Sequence, residues 1–306
     1  MDGPRAARIR SLHRHDWRHN LKIPAMYALW AALGALAWSS RSPWVDWPCY
    51  AALGYVQMSI VTFMHDCTHG ALFQSRWKNR AFGVFAMLPF VTSFVAFQSD
   101  HLEHHRHNRS PQDPDSFTMG RRGWLDFAQF YAYIFLGAPL SAVYFTLIYP
   151  LQAFQRRQWL LHLAELVLHA AIYAAVFRWA GAAGLGGEVA AIWLWPLVFF
   201  GSWNSIRFLA EHYGTPWSAG QLAGTRTVLS NRVNRFFWNN INYHIGHHVY
   251  PGVPWYNLEQ LHAEMLPEIR AAGATVDPGY LQVFLRAFAR GPELPATADV
   301  RRFASA

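Results

Sequence analysis

The 306-residue chain is 53% hydrophobic and only 14% charged, and it contains 15 tryptophans. An ordinary soluble domain has about 25% charged residues, so this composition excludes a typical soluble protein and favours an integral membrane one. The formal net charge is +8, and we expect a membrane, not a nucleic acid, as partner. Two cysteines, Cys49 and Cys67, exclude a disulfide framework and a cysteine-based metal site, and we interpret Cys67 as a packing residue.

Residues 1–22 form a basic arm ahead of the first apolar run. Because cytoplasmic flanks of membrane spans collect Lys and Arg, this arm is predicted to lie in the cytoplasm. It lacks a short apolar core followed by a small-residue cleavage site, so no cleaved signal peptide is expected.

Five apolar runs are long enough to cross a bilayer, which takes about 20 residues. They lie near residues 23–40, 44–64, 127–150, 159–180 and 188–210. A sixth run, 81–99, is slightly short and is interrupted by Pro89, so we interpret it as re-entrant or interfacial.

The run 127–150 is also interpreted as re-entrant or interfacial, with Pro139 as its interruption. A crossing there would place the later histidines on the opposite side of the membrane from the earlier ones. Arg156 and Arg157 directly follow the run and favour the cytoplasm. The transmembrane helices are therefore predicted at residues 23–40, 44–64, 159–180 and 188–210.

These assignments predict an all-α integral membrane protein with four transmembrane helices, interfacial helices and a cytoplasmic histidine-rich cap. The membrane domain is expected over residues 23–290, and residues 291–306 form a C-terminal tail. Helical segments around 257–271 and 278–290 are expected to pack on the cap. The inner membrane of a cell is the expected location.

Three clusters of histidine stand out among the 16 histidines of the chain: "HDCTH" at 65–69, "HLEHH" at 101–105 and "HIGHH" at 244–248. Offsets of three and four residues fall on one face of a helix, as metal ligands require. His212, at a predicted helix end, is a ninth candidate. Nine imidazoles are too many for one tetrahedral zinc, so two metal ions are favoured, and imidazole alone does not choose among iron, copper, nickel and zinc.

In these clusters the chain resembles the membrane fatty acid desaturase family, the integral-membrane di-iron oxygenases with three histidine boxes. Supporting stretches are "HGALF" after the first cluster, "DPD" at 113–115 and "NYHIGHHVYPGVPWYNLEQLH" around the third, and the resemblance covers residues 60–265. It implies the metal ligands His65, His69, His101, His104, His105, His212, His244, His247 and His248.

One position departs from the family pattern. The family often has an additional ligand-like residue in the helix before the ninth histidine, sometimes an asparagine four residues upstream, where this chain has Phe208. Asn204 and Asn240 are the substitutes that the sequence offers.

The resemblance further implies two iron ions and O₂ as co-substrate, used to remove hydrogen from an unactivated acyl chain and leave a carbon–carbon double bond. The expected substrate is an acyl-lipid, an acyl-thioester or a sphingoid lipid. A hydroxylase or ketolase of the same superfamily, acting on an alkane, lipid or carotenoid, is the nearest alternative. A metal transporter is the alternative from another class, but it needs ligands near the membrane midplane. A metal-independent structural protein leaves the clusters unexplained.

The expected reaction needs two external electrons for each turnover. The sequence has no GxGxxG motif after a strand and no cysteine set for an iron–sulfur cluster. We therefore expect a separate donor, such as a ferredoxin or a b-type cytochrome with its reductase.

Acidic residues beside the clusters are expected to orient the imidazoles through their second ring nitrogen. The candidates are Asp66, Asp100, Glu103 and Glu211. An apolar substrate tunnel is expected among the aromatic residues Trp193, Trp195, Phe199, Phe200 and Trp203.

A separate polar stretch, "LLHLAELVLHA", places His162, Glu165 and His169 on one face of a predicted span. An interhelical hydrogen-bond network is the favoured interpretation, ahead of a second functional site.

Overall fold

The long apolar segments form helices, whose backbone groups bond internally. The computed structural model describes residues 3–40, 42–115 and 124–293. Within these ranges the helices are α1 Pro4–Ser11, α2 Lys22–Ser39, α3 Pro43–Thr68, α4 Arg76–Met87, α5 Phe94–His107, α6 Trp124–Val143, α7 Tyr149–Ala153, α8 Arg156–Ala182, α9 Gly186–His212, α10 Gly220–Ala223, α11 Arg232–Phe237, α12 His244–Val249, α13 Leu258–Ala271 and α14 Tyr280–Arg290. Most of the predicted tail, from residue 294 onward, lies outside the described residues.

In the part of the chain that the structure describes, strand structure is limited to one two-stranded sheet. Arg226–Val228 (β1) and Thr275–Asp277 (β2) pair in parallel, with Arg226 opposite Thr275. The all-α prediction is confirmed apart from these three-residue strands. The helical segments predicted around 257–271 and 278–290 correspond to α13 and α14.

Within the described ranges, four helical segments are long and apolar enough to cross a membrane, as the fold prediction requires. They are Trp17–Ser39, Trp124–Ala153, Arg156–Ala182 and Gly186–His212. The set differs from the predicted one, because it includes 124–153 and leaves out α3, which covers the predicted span 44–64. The reason is composition: α3 carries Asp46, Gln57 and Asp66 along its 26 residues.

Helix α3 is nevertheless the centre of the bundle. It packs extensively against α2, α4 and α9. Gly54 of α3 lies against Phe199 and Phe200 of α9. From this contact both helices run to the end of the bundle where His65 and His212 lie. At about 1.5 Å per residue, α3 is as long as a membrane span.

The contact at Gly54 gives a stability prediction. A Cβ atom at this position would lie 2.6 Å from the Pro196 carbonyl oxygen and 2.8 Å from the Phe200 nitrogen. We expect Gly54→Ala to destabilise the protein by about 1–3 kcal/mol, because α3 and α9 must move apart. Thermal unfolding in detergent measures this. Gly34→Ala is the matched control, since its Cβ would meet only Ile192 Cγ2 at 3.7 Å; equal melting of the two variants contradicts the prediction.

The two segments interpreted as re-entrant or interfacial are both broken. Residues 76–90 and 94–107 enclose a bend of 105°, and the predicted interruption at Pro89 lies in the 3₁₀ turn Leu88–Phe90 at this bend. Helix α6 kinks at Leu136, three residues before Pro139, because proline clashes with the preceding helical turn. A π-helical turn, Tyr144–Ile148, then leads into α7.

The N-terminal arm folds back onto the C-terminal region. Ile9 and Leu12 pack into a core with Leu258 and Leu261 of α13. Arg8 donates to Glu264 at 2.8 Å. The arm and α13 therefore cover the side of the bundle at which the histidines collect.

Candidate metal centre

Nine histidines from four helices meet at one end of the bundle. The last turns of α3 supply His65, with His69 one residue beyond its end; α5 supplies three histidines; α9 ends at His212; and the short α12 supplies the remaining three. Two groups have ligand atoms that all lie within 4.8 Å of one another: His65, His69, His101, His105 and His247, and separately His104, His212 and His248. His244 lies beside the second group, because its Nε2 is 3.1 Å from His248 Nε2.

The spacing of the imidazole nitrogens is that of shared metal ligands. His69 and His101 bring their Nε2 atoms within 3.1 Å, and the Nε2 atoms of His244 and His248 also lie 3.1 Å apart. The Nε2 atoms of His105 and His247 are separated by 3.2 Å. Two nitrogens at about 2.0–2.1 Å from one ion lie about 3.0–3.4 Å apart. The donor set therefore fits two metal ions.

Several buried imidazole nitrogens have no hydrogen-bond partner among the described residues. Both ring nitrogens of His65 are in this state, as are His105 Nδ1, His212 Nε2 and His244 Nδ1. A buried polar atom without a partner is costly, so such atoms are rare in folded proteins. A bound cation would give a partner to His212 Nε2 and to one ring nitrogen of His65, because a neutral imidazole offers one lone pair.

The histidines of α12 are held in the form that binds a metal. Burial lowers the pKa of His244, His247 and His248 well below the usual value of 6.5, and neighbouring imidazoles lower it further. The neutral imidazole keeps the lone pair that a metal ion needs.

Outer hydrogen bonds fix the orientation of three of the nine rings. His104 Nδ1 lies 2.8 Å from Asp113 Oδ1, His248 Nδ1 lies 2.8 Å from Gln221 Oε1, and His212 Nδ1 lies 3.2 Å from the Gly224 carbonyl oxygen. Such partners set the tautomer and leave Nε2 for a metal ion. None of the three partners was among the sequence candidates; "DPD" was the one available signal, for Asp113.

The four acidic candidates occupy different places. Glu211 Oε2 is 3.5 Å from His244 Nε2, and Asp66 Oδ1 is 3.9 Å from His65 Nδ1. Asp100 accepts a hydrogen bond from the Tyr144 hydroxyl at 3.1 Å. Glu103 instead faces away from the cluster.

Glu103 therefore contacts none of the nine histidines. It accepts from Arg106 at 2.7 Å and lies 3.5 Å from His107 Nε2. Of the two substitute asparagines, Asn204 faces the cluster: it shares a cavity with His212. Asn240 donates to the Trp255 carbonyl.

A narrow cavity leads to the cluster between α3, α4, α5, α6 and α9. Its volume is about 80 Å³, which is room for more than one water-sized group. Its apolar lining includes Val61, Met87, Phe90, Phe145 and Phe200, and its polar lining includes Asn204, Arg207 and Glu211.

Of the five aromatic residues expected in the tunnel, Phe200 is the one that lines this cavity. Trp195 stacks edge-on against Trp47, with ring centroids 4.8 Å apart, and Phe199 packs beside the same Trp47. Trp193 lines an apolar groove between α2, α8 and α9. Trp203 lines a third cavity beside Tyr55. These four residues therefore lie outside this cavity, and their place along a substrate path stays a prediction.

Comparison with known proteins agrees with the site. The sphingolipid delta(4)-desaturase/C4-monooxygenase of Homo sapiens is 29% identical over 265 residues, which cover 82% of this chain and 75% of the human protein. The sn-1 oleoyl-lipid 12-desaturase of Picosynechococcus sp. is 24% identical over 263 residues, covering 77% and 73%. The sphingolipid delta(4)-desaturase of Gallus gallus is 26% identical over 262 residues, covering 80% and 73%.

The family model described as fatty acid desaturase matches residues 41–280, which is most of the chain and includes all nine clustered histidines. The relatives are named as desaturases, which are oxidoreductases. The metal-transporter and structural-protein alternatives are left without support. The chain therefore belongs to the fatty acid desaturase family and is an oxidoreductase of that type.

Proposed function

We propose that this protein is an O₂-dependent membrane lipid desaturase that introduces a double bond into an acyl chain with two histidine-bound iron ions. The observation that carries the proposal is the convergence of nine histidines, seven buried and two partly buried, at a narrow, largely apolar cavity. When bound, the two irons supply the oxidising power to remove hydrogen from an unactivated methylene group. The protein itself would bind the ions and orient the substrate.

The protein's own residues hold, orient and shield the site. The first group of five histidines would hold one ion, and the second group with His244 would hold the other. Asp113 and Gln221 keep two of the rings in a fixed tautomer. Phe90, Phe145 and Phe200 exclude water from the place where the methylene groups would lie, which fixes the chain relative to the metals and suppresses side reactions.

The active site is proposed to face the cytoplasm, in the inner membrane of a cell. The support comes from charge: Arg76, Lys78 and Arg80 lie just beyond the end of α3, on the side of the histidines, and cytoplasmic flanks collect such residues. A separate electron donor, a ferredoxin or a b-type cytochrome with its reductase, is proposed to reach this side. Among the described residues, no further cluster of metal-binding side chains is as close-packed as these two groups.

Hydroxylation is the second candidate outcome. The human relative is named both a desaturase and a C4-monooxygenase. The two reactions share the removal of a first hydrogen and diverge afterwards, so the same site serves either. Product analysis separates them.

The direct test is mass spectrometry of lipids from cells that express the wild-type protein, with double-bond positions located. New double bonds that require O₂ support the proposal. An added oxygen atom in their place assigns the monooxygenase reaction, and an unchanged lipid profile with well-expressed, iron-loaded protein and a working donor contradicts both.

Phe200 gives a specificity prediction. Shortening this side chain enlarges the cavity beside the histidines, so Phe200→Ala is expected to change the preferred chain length or double-bond position by about tenfold or more in relative rate. Trp195→Ala, which removes an aromatic ring from the same helix but outside the cavity, is the control. Identical product distributions for Phe200→Ala and the wild type contradict this placement of the substrate.

A further inference from the structure

Three ionisable residues lie buried in α8, away from the nine histidines. His162 is 0% exposed, and Glu165 and His169 are each 4% exposed. Ionisable groups inside a membrane span are costly unless they are paired, so their partners indicate their role. Together with Gln158 they follow spacings of four, three and four residues and form one polar face of α8.

Glu165 caps the helix that carries the second histidine cluster. Its Oε1 accepts from the Phe94 amide at 2.5 Å, and its Oε2 accepts from the Val95 amide at 3.1 Å. The Ser93 hydroxyl lies 2.9 Å from Oε2. These amides belong to the first turn of α5, where N–H groups have no partner within the helix. A carboxylate there also interacts favourably with the helix dipole.

His162 extends this contact to a second element. Its Nδ1 lies 2.8 Å from Ser93 Oγ, and its Nε2 lies 3.2 Å from the Thr146 carbonyl oxygen. A carbonyl only accepts, so Nε2 carries a hydrogen. Ser93 has one hydroxyl hydrogen to give, either to Glu165 or to His162. In the first case His162 also carries a hydrogen on Nδ1; in the second, Glu165 carries the proton. The pair is therefore neutral overall in both cases.

Helix α8 also contacts α5 at Ser99, which is closer to the histidines than Ser93 is. Gln158 Nε2 donates to Ser99 Oγ at 2.9 Å, and the Tyr149 hydroxyl donates to the same atom at 3.1 Å. His101 follows two residues later. His169, by contrast, contacts α4: its Nε2 lies 3.1 Å from the Val84 carbonyl oxygen.

We propose that Glu165, His162 and Ser93 are positioning residues that fix the rotation and depth of α5 and thereby place His101, His104 and His105 for metal binding. The inference rests on the proposed metal centre, to which it adds a group of residues that contacts α5 about two to three helical turns before the ligands. His169 is excluded from this role because it holds a different helix.

The test compares Glu165→Leu, Glu165→Gln and, as matched control, His169→Leu, each purified in nanodiscs. Amide hydrogen exchange over residues 94–107 is measured without metal, and Co²⁺ affinity and the Co²⁺ absorption spectrum are measured in parallel. Glu165→Leu is expected to speed exchange in α5, shift the Co²⁺ spectrum and weaken Co²⁺ binding by about tenfold, the lower end of the cost of losing an outer partner.

The two other variants separate positioning from general stability. Gln can accept from the Phe94 amide and donate to Ser93 Oγ, whose hydroxyl then donates to neutral His162. It leaves the Val95 amide without the acceptor that Glu165 Oε2 provides, so Glu165→Gln should fall between the wild type and Glu165→Leu in all three readouts. His169→Leu should leave α5 exchange and the Co²⁺ spectrum unchanged. If Glu165→Leu does not fold, Ser93→Ala is measured in its place, since it removes a single hydroxyl.

Two results overturn the inference. One is wild-type α5 exchange and a wild-type Co²⁺ spectrum in Glu165→Leu or Ser93→Ala. The other is an equal disturbance of α5 by His169→Leu, which would make Glu165 a general stabiliser of the bundle. A wild-type protein that binds no Co²⁺ contradicts the metal centre instead, and hydrogen exchange still decides the role of Glu165.

Discussion

Replacing His247 by alanine is expected to eliminate product formation and to reduce bound iron from about two ions per chain to one or fewer. His247 belongs to the group of five histidines, and its Nε2 lies 3.2 Å from His105 Nε2. It is buried among other candidate ligands, so alanine leaves an open coordination position that no neighbouring side chain fills. The activity should fall by more than about 100-fold, which is the upper cost of losing only an outer partner.

The control for this variant is His107→Ala. His107 lies in α5, two residues after His105, but it pairs with Glu103 at 3.5 Å and belongs to neither histidine group. It should retain iron and activity. Loss of activity in both variants to the same extent, or full iron content in His247→Ala, would show that the two groups are not the metal site.

The second large effect is expected for Asp113→Ala. Asp113 Oδ1 lies 2.8 Å from His104 Nδ1, and its Oδ2 accepts from the Arg109 amide at 2.7 Å. The carboxylate thus fixes both the ring of a candidate ligand and the loop after α5. Its loss should weaken metal binding by about 10–100-fold, because the ring is no longer held in one tautomer and orientation.

Glu103→Ala is the control for Asp113→Ala. Glu103 is closer to His104 in the sequence, but its side chain faces away from the histidines and pairs with Arg106. Metal titration of both variants tests this assignment. Weaker metal binding is expected in Asp113→Ala alone, whereas weaker metal binding in Glu103→Ala alone would identify Glu103 as the outer partner instead.

The histidine clusters and the all-α class could be predicted because both depend on local geometry. Imidazoles at offsets of three and four residues share a helix face whatever the rest of the fold does. His212 could be predicted as a ligand because it ends an apolar run, where a span leaves the membrane. The structure brings it to 4.8 Å from His104 between ring centroids.

The outer partners and the substrate cavity depend on tertiary geometry, so their signals in the sequence are weaker. Gly224 contributes a backbone carbonyl oxygen, which every residue possesses. Gln221 lies in the short helix α10 and reaches His248 only because α10 packs against α12. Trp193 and Phe200 are seven residues apart on one face of α9, but this separates them by about 10 Å along the axis, and Phe200 alone of the two reaches the cavity.

The membrane spans also depend on tertiary geometry that the sequence does not show. Residues 124–153 are apolar enough to cross, although proline and charge patterns favoured an interfacial position. Helix α3 is not apolar enough to be recognised as a span from its composition, yet its polar side chains are buried against neighbouring helices: Gln57 is 0% exposed and Asp66 is 4% exposed. Hydropathy alone does not separate a buried polar side chain from one that faces lipid.

The measurement that tests the account most directly is the metal content of the wild-type protein, purified without oxygen, loaded with ferrous iron and freed of excess ion. Two irons per chain, falling in His247→Ala and unchanged in His107→Ala, are the result predicted here. One iron or none in a folded, monodisperse wild-type protein, or two irons retained in His247→Ala, would contradict the proposed two-metal centre.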